Sequence, residues 1–371
     1  MKTVFVAILA LSWSCLASAT EQPFLPGPDI PDYVASVRIK LSHGPVVNEV
    51  RTYHGGWTRV DGGVDRNAYR STSYFGPEGL IITFARDPSE REGHDWLHVM
   101  RGSGSAHLIR WGQNPFKTSD SEVVAGESCE VWNLSQAFLS SRARRLSCIT
   151  PDGIELWSRV ENDFTPGNSF EITSLERTRV ERDAVRLPDG KLDLNSWLTT
   201  PPPENPPDPP GDVTVILQST TVDIPFGVRT RTIRRHFPWT STEDVKANSE
   251  RTISFKNELQ RLNIVFESDA AGQPIRLSIQ KALRTFSYSS PPDSGHSEIL
   301  GEACTIHQET GRESYSYDCV TADGLPLKAI ETDLHERNNL VAVKLDRSPL
   351  ALDVVMPPPE LFRRRTWGIP D

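Results

Sequence analysis

The chain has 371 residues, 49 acidic against 40 basic side chains, a net charge of -9, 37% hydrophobic residues and 29 prolines. That length predicts two domains of ordinary size, each able to bury a core. The acidic balance and the absence of a basic helix argue against nucleic acid as a main partner, and beyond the N-terminus no apolar run approaches the roughly 18 residues of a membrane-spanning helix.

Residues 1–19 read as a secretory signal: Met1-Lys2, an apolar run from Thr3 to Leu11, then Ala17-Ser18-Ala19 as an A-x-A cleavage site. Cys15 opens the alternative of a lipid anchor, against which stand the nearby Trp13 and the better-formed Ala-Ser-Ala. Removing the signal leaves four cysteines, which fits an oxidising compartment, and the expectation is a secreted, periplasmic protein. The mature chain divides into a first β-rich domain, 20–198, a linker, 199–211, and a second β-rich domain, 212–371.

After a proline-rich lead, Val34–Leu41 alternates with the period of a first strand, and Val213–Leu217 does the same in the second half. His54-Gly55-Gly56-Trp57 and His236-Phe237-Pro238-Trp239 stand at an offset of 182 and read as matching hairpin turns. Pro238 cannot adopt the positive φ of a type I′ turn, so the second turn must differ in type. His54, Trp57, His236 and Trp239 form the candidate ligand rim; the competing reading of each tryptophan is a cap on a core edge. Leu80–Asp87 and Leu262–Asp269 match at the same offset.

His94-Asp95-Trp96-Leu97-His98 has the spacing of a metal-binding histidine pair, but that chemistry needs a helix to bring both imidazoles to one face. Trp96–Met100 reads instead as a strand matching Arg276–Gln280. No third ligand stands nearby, and neither metal nor other cofactor is expected. A metal-dependent hydrolase using His94 and His98 ranks third among the functional readings.

The most informative stretch is Gly126-Glu127-Ser128-Cys129 followed, after a spacer of 18 residues, by Cys148-Ile149-Thr150-Pro151-Asp152-Gly153-Ile154-Glu155-Leu156. It recurs as Gly301-Glu302-Ala303-Cys304, a spacer of 14, then Cys319-Val320-Thr321-Ala322-Asp323-Gly324-Leu325-Pro326-Leu327. The expectation is a tandem duplication with one disulfide in each copy, Cys129 to Cys148 and Cys304 to Cys319. A zinc site needs four ligands, and a redox pair usually stands as C-x-x-C. In the second copy a II′ turn at Gly311-Arg312 would set Cys304 directly across from Cys319; in the first the loop falls near Ser140-Ser141. A closed loop of this length is worth roughly 3 kcal/mol.

Residues 201–210 contain seven prolines, so the linker reads as a stiff spacer holding the two domains apart. Leu175-Glu176-Arg177, Asp183, Pro188 and Trp197 match Leu345-Asp346-Arg347, Asp353, Pro358 and Trp367 at an offset of 170. Short helices are expected around Leu192–Leu198 and Glu360–Trp367. Arginines cluster at Arg229, Arg231, Arg234 and Arg235, at Arg142, Arg144 and Arg145, and at Arg363–Arg365; they read as solvated strand faces or as a weak site for anionic head groups.

The run Ser121–Trp132 with Thr150–Leu156, and its second copy, resembles the periplasmic lipoprotein-carrier superfamily, LolA, LolB and their relatives. The resemblance implies an unclosed antiparallel barrel whose apolar interior holds acyl chains. The expected fold is thus mainly β: two tandem homologous domains, each a curved antiparallel sheet with one or two short helices. Without a nucleophile elbow, phosphate loop or Cys-His pair, the expected function is non-enzymatic binding of a lipid, acyl chain or envelope component. The alternative is a protein-binding or sensing module of the envelope.

Overall fold

A computed structural model describes residues 30–40, 46–64, 70–86, 95–101, 116–134, 143–162, 169–199, 210–220, 227–281, 293–310, 315–332 and 337–370. The expected signal, Cys15, His94, most of the proline run and residues 311–314 lie outside them. The first half contributes β1 Tyr33–Lys40, β2 Val46–His54, β3 Trp57–Val64, β4 Arg70–Phe75, β5 Leu80–Arg86 and β6 Asp95–Arg101. It continues with β7 Phe116–Val124, β8 Glu127–Asn133, β9 Ala143–Ile149, β10 Glu155–Asn162 and β11 Ser169–Glu176. In the second half come β12 Val213–Ser219, β13 Val228–His236, β14 Trp239–Lys246, β15 Arg251–Asn257, β16 Leu262–Ser268 and β17 Pro274–Lys281. The last five are β18 Asp293–Ile299, β19 Glu302–Thr310, β20 Tyr315–Val320, β21 Pro326–Thr332 and β22 Arg337–Asp346.

All 22 form one strongly curved, unclosed antiparallel sheet. Within the first half the spatial order is β7-β8-β9-β10-β11-β1-β2-β3-β4-β5-β6. The second half repeats that order as β18-β19-β20-β21-β22-β12-β13-β14-β15-β16-β17. The two then meet edge to edge, β6 against β17. So the halves are not held apart by the proline run: a shared strand ladder continues one into the other.

The register at this junction is reciprocal. His98 faces Ser278 at its centre, Leu97 faces Ile279 and Val99 faces Leu277. In the sequence match Leu97 corresponds to Leu277 and Val99 to Ile279, so Leu97 and Val99 each face the counterpart of the other while His98 faces its own, as across the two-fold axis of a homodimer. All four aliphatic side chains are fully buried. Burying each contributes roughly 1.5–3 kcal/mol, on top of the ladder hydrogen bonds that an exposed edge would leave to water.

What buries them is a pair of irregular tails that follow the last strand of each half, residues 177–199 and 347–370. The first carries 3-10 turns at Arg182–Val185 and Leu194–Ser196; the second carries them at Leu352–Val354, Pro359–Phe362 and Arg364–Trp367. Short helical turns therefore fall where expected, as 3-10 rather than α geometry. Leu187, Leu192 and Trp197 from one tail, with Val355, Leu361 and Trp367 from the other, join Ile82, Leu97, Ile264 and Leu277 in a single core.

The tails also reach across the junction. Arg101 of β6 donates to the carbonyl of Thr366 at 3.2 Å, and Lys281 of β17 donates to the carbonyl of Trp197 at 3.1 Å. Arg364 in turn binds Asp189 at 2.9 Å. Each half is thus braced by the other's tail.

Away from the junction each half has its own core around its disulfide. Cys129 and Cys148 have Cα atoms 5.4 Å apart, and Cys304 and Cys319 5.3 Å. Cys304 and Cys319 are not directly opposed as expected, and Cys129 and Cys148 are not opposed either. Cys148 faces Val131 and Cys319 faces Ile306, so both bridges run diagonally between neighbouring strands. The reason is the loop: Thr310 pairs with Tyr315, leaving four residues between the strands of the second hairpin rather than two. The outer strands β7 and β18 both show register shifts, at Lys117/Ser121 and Asp293/His296, the kind of irregularity that blunts an edge against further pairing.

A cavity at the junction is felt by both halves. Leu97→Ala and Leu277→Ala are each expected to cost about 2–5 kcal/mol, and in differential scanning calorimetry to lower the whole unfolding endotherm. Movement of only one of two separate transitions would contradict the shared sheet.

Candidate functional site

The recurring motif turns out to build a structural clamp. Thr150 Oγ1 donates to Asp152 at 2.6 Å and accepts from the backbone N–H of Ile154 at 2.8 Å, closing the turn after β9. Arg177, just past β11, then binds Glu127 through Nε at 2.8 Å and also pairs with Asp152. Arg347 repeats this, holding Glu302 at 3.2 Å and Asp323 at 3.0 Å, with Thr321 closing the second turn. The Glu of G-E-x-C and the Asp of T-x-D-G are thus partners of one arginine that fixes where each tail departs. The guanidinium-bound carboxylates and the disulfide beside them explain the motif without any chemistry performed on a ligand.

A second matched arrangement secures the hairpin tips. His54 Nδ1 lies 3.0 Å from both carboxylate oxygens of Asp32, which also accepts the N–H of Val180 at 3.0 Å. His236 Nδ1 lies 3.0 Å from Asp212, which accepts the N–H of Leu350 at 2.6 Å. Burial alone would raise the pKa of Asp32, but the His54 and Val180 hydrogen bonds hold it below the usual carboxylate range. The Leu350 N–H and then His236 do the same for Asp212. Each histidine therefore pins the start of a tail to a hairpin tip through a shared carboxylate.

The two tips differ in what surrounds them. At the first, Gly55 and Gly56 have φ of +54° and +86°, the turn that an uninterrupted two-residue hairpin requires. Trp57 leaves this turn and lies against Gly76, where a Cβ would come within 2.6 Å of the indole. Glycine at 76 thus leaves room for the ring. Arg59 of β3 donates to the carbonyl of Ala184 at 3.3 Å and seats the first tail beside it. Between hairpin and tails opens a cleft of about 200 Å³. His54 and Trp57 form one wall, Arg182, Val185, Arg186 and Leu187 of the first tail another, and Ile369 and Pro370 of the second tail close the end.

At the second tip the Phe237–Pro238 bond is cis, the different turn type that proline imposes. Trp239 is 3% exposed and belongs to the central core, so it is a core residue rather than part of a rim. Of the four rim candidates, His54 and Trp57 share the cleft; His236 is tied to Asp212 at the other tip.

His98 sits on β6 with Trp96 edge-on at 4.7 Å, and burial followed by the charge of Arg276 lowers its pKa. Among the described residues no group of three metal-ligating side chains converges. The arginines of β13 are largely engaged: Arg231 with Asp244 at 2.8 Å, Arg234 with Glu243 at 3.5 Å, and Arg235, buried, with Asp323 at 2.6 Å. Arg145 reaches Glu155 at 3.4 Å and Ser158 at 3.2 Å, and Arg363 reaches Glu360 at 3.6 Å.

The sequence reading missed Asp32, Asp212, Arg182 and Arg186. The two aspartates were findable, since each stands immediately before a matched first strand. No signal marked the two arginines, whose neighbours in space come from strands distant in the chain. No family model matches the chain, and no curated protein matches it either.

The clamp gives a pH signature. Burial opposes ionisation of Asp323, but hydrogen bonds from Arg347, Thr321 and Arg235 prevail and its pKa is strongly lowered. A carboxylate depressed in the folded state stabilises it above the unfolded pKa, about 4, and that contribution is lost as pH falls through the folded value. Asp323→Asn should therefore destabilise the chain by about 1–3 kcal/mol at pH 7. The gap to the unaltered protein in thermal unfolding should narrow steadily below pH 4; a gap that stays constant would show that the ionised carboxylate is not what matters.

Proposed function

We propose that the chain is an exported, non-enzymatic binding protein of the bacterial periplasm type, holding a hydrophobic guest such as an acyl chain, a lipid or an envelope component in the cleft beside the first hairpin tip. The observation that carries this reading is the cleft itself: Trp57, Val185, Leu187 and Ile369 give it apolar walls, and three separated segments converge on it. Concave, mostly apolar sites with a few polar groups at the margin are where small molecules bind. Two disulfides agree with export to an oxidising compartment, and among the described residues no helix is long and apolar enough to cross a membrane.

The resemblance to lipoprotein carriers supports an open curved sheet with an apolar interior, with one difference in how that interior is used. Here the two tails, with Trp197 and Trp367 buried, occupy the apolar face of the central strands. The guest is therefore confined to the margin of the tails, and a cleft of about 200 Å³ equals roughly seven waters at about 30 Å³ each, which suits one short chain.

Organic extraction of the exported protein followed by mass spectrometry is expected to recover one class of small apolar molecule in near-stoichiometric amount. Added short-chain amphiphiles should change the fluorescence of Trp57, read as the difference between the unaltered chain and Trp57→Phe. An empty protein that takes up no such probe would contradict the proposal and favour the docking or sensing alternative.

A further inference from the structure

We infer that the cleft, if it is a binding site as proposed above, selects an anionic amphiphile, with the acidic head group held at Arg182 and Arg186 and the short chain lying along Trp57, Val185 and Leu187. Among the described residues the lining contains two guanidiniums and one imidazole, His54, and no carboxylate. Carboxylates do lie close by: Asp32 is bound to His54, and Arg186 pairs with Asp183 at 3.9 Å and Asp189 at 3.2 Å through its terminal nitrogens. Those pairs leave Arg186 Nε buried without a hydrogen-bond partner, and Asp189 is shared with Arg364. The Arg186 side chain is nonetheless 33% exposed beside the cleft, and a planar guanidinium suits the bidentate recognition of carboxylate or phosphate.

The other half shows that the fold does not demand these arginines. At the offset of 170 that aligns the tails, Arg182 corresponds to Leu352 and Arg186 to Met356, while Val185 corresponds to Val355. Both tails make a 3-10 turn at this point, Arg182–Val185 and Leu352–Val354, and both are pinned by an Asp-His pair. The same backbone is therefore built once with two cations and once with two apolar side chains. Val185, at the cleft, and Val355, in the central core, are 3% and 0% exposed and keep their identity. Neighbouring positions differ too, Leu187 becoming Pro357 and Asp189 becoming Pro359, but at 182 and 186 the change is from two cations beside the cleft to two apolar side chains.

Titration calorimetry of the full mature chain with octanoate, octyl phosphate, octanol and octyltrimethylammonium tests this. One or both anions should bind at least about tenfold tighter than octanol, and the cation more weakly than octanol; the stronger anion identifies a carboxylate or a phosphate head. In Arg182→Leu/Arg186→Met, which borrows the side chains of the second half, the anions should fall to the level of octanol while octanol binding persists. If octanol matches both anions, or the double variant keeps the anion preference, the inference is overturned and the cleft survives as an uncharged binding site. If none of the four binds, the parent proposal falls with it. The four-ligand series on the unaltered chain decides the matter even if the double variant does not fold.

Discussion

The arrangement depends on one hydrogen-bonded edge. An antiparallel sheet that ends in an apolar strand such as Leu97–Val99 presents unpaired amides and unburied side chains to water, and proteins must cover or pair such an edge. Here β6 is completed by β17, which carries the matching pattern, and the reciprocal register lets Leu97, Val99, Leu277 and Ile279 become a single buried row. The outer edges are treated in the opposite way, with irregular pairing at β7 and β18. One kind of edge is built to join and the other to stop.

Joining the halves creates the setting for the cleft. Because the sheet is continuous, the tail of each half lies over the junction, and its polar contacts run to the strand of the other half, Arg101 to Thr366 and Lys281 to Trp197. Ile369 and Pro370 can then close a cavity whose other walls belong to the first half. The arginine clamps at Arg177 and Arg347 and the Asp-His pairs fix both ends of this geometry, the departure of each tail and its landing on a hairpin tip. These are local, partly exposed interactions, and besides what they add to stability they set the direction of each tail.

The sequence exposed most of the strand content and the paired cysteines, because alternation and a recurring G-E-x-C pattern are local signals. The hairpin tips at His54 and His236 were legible for the same reason, including the change of turn type at Pro238. Register was not legible: whether Cys304 faces Cys319 or lies diagonally from it depends on the length of the loop between β19 and β20, and one changed turn moves every pairing along the hairpin. The joining of β6 to β17 was hidden because an edge strand and an inner strand read alike when both faces are covered. The proline run drew attention to separation, while the contact that sets the arrangement lies elsewhere. Arg182 and Arg186 were overlooked because a charged residue in an irregular tail has no periodicity to betray its surroundings.

The central claim is that β6 and β17 form one ladder. Hydrogen exchange of the full chain, resolved by residue, tests it at 96–100 and 276–280. In β6, the amides that do not point to β5 point to β17, so the account predicts slow exchange along both segments, comparable to that of β5 and β16. Alternate amides exchanging as fast as those of a free edge, in both segments together, would contradict it.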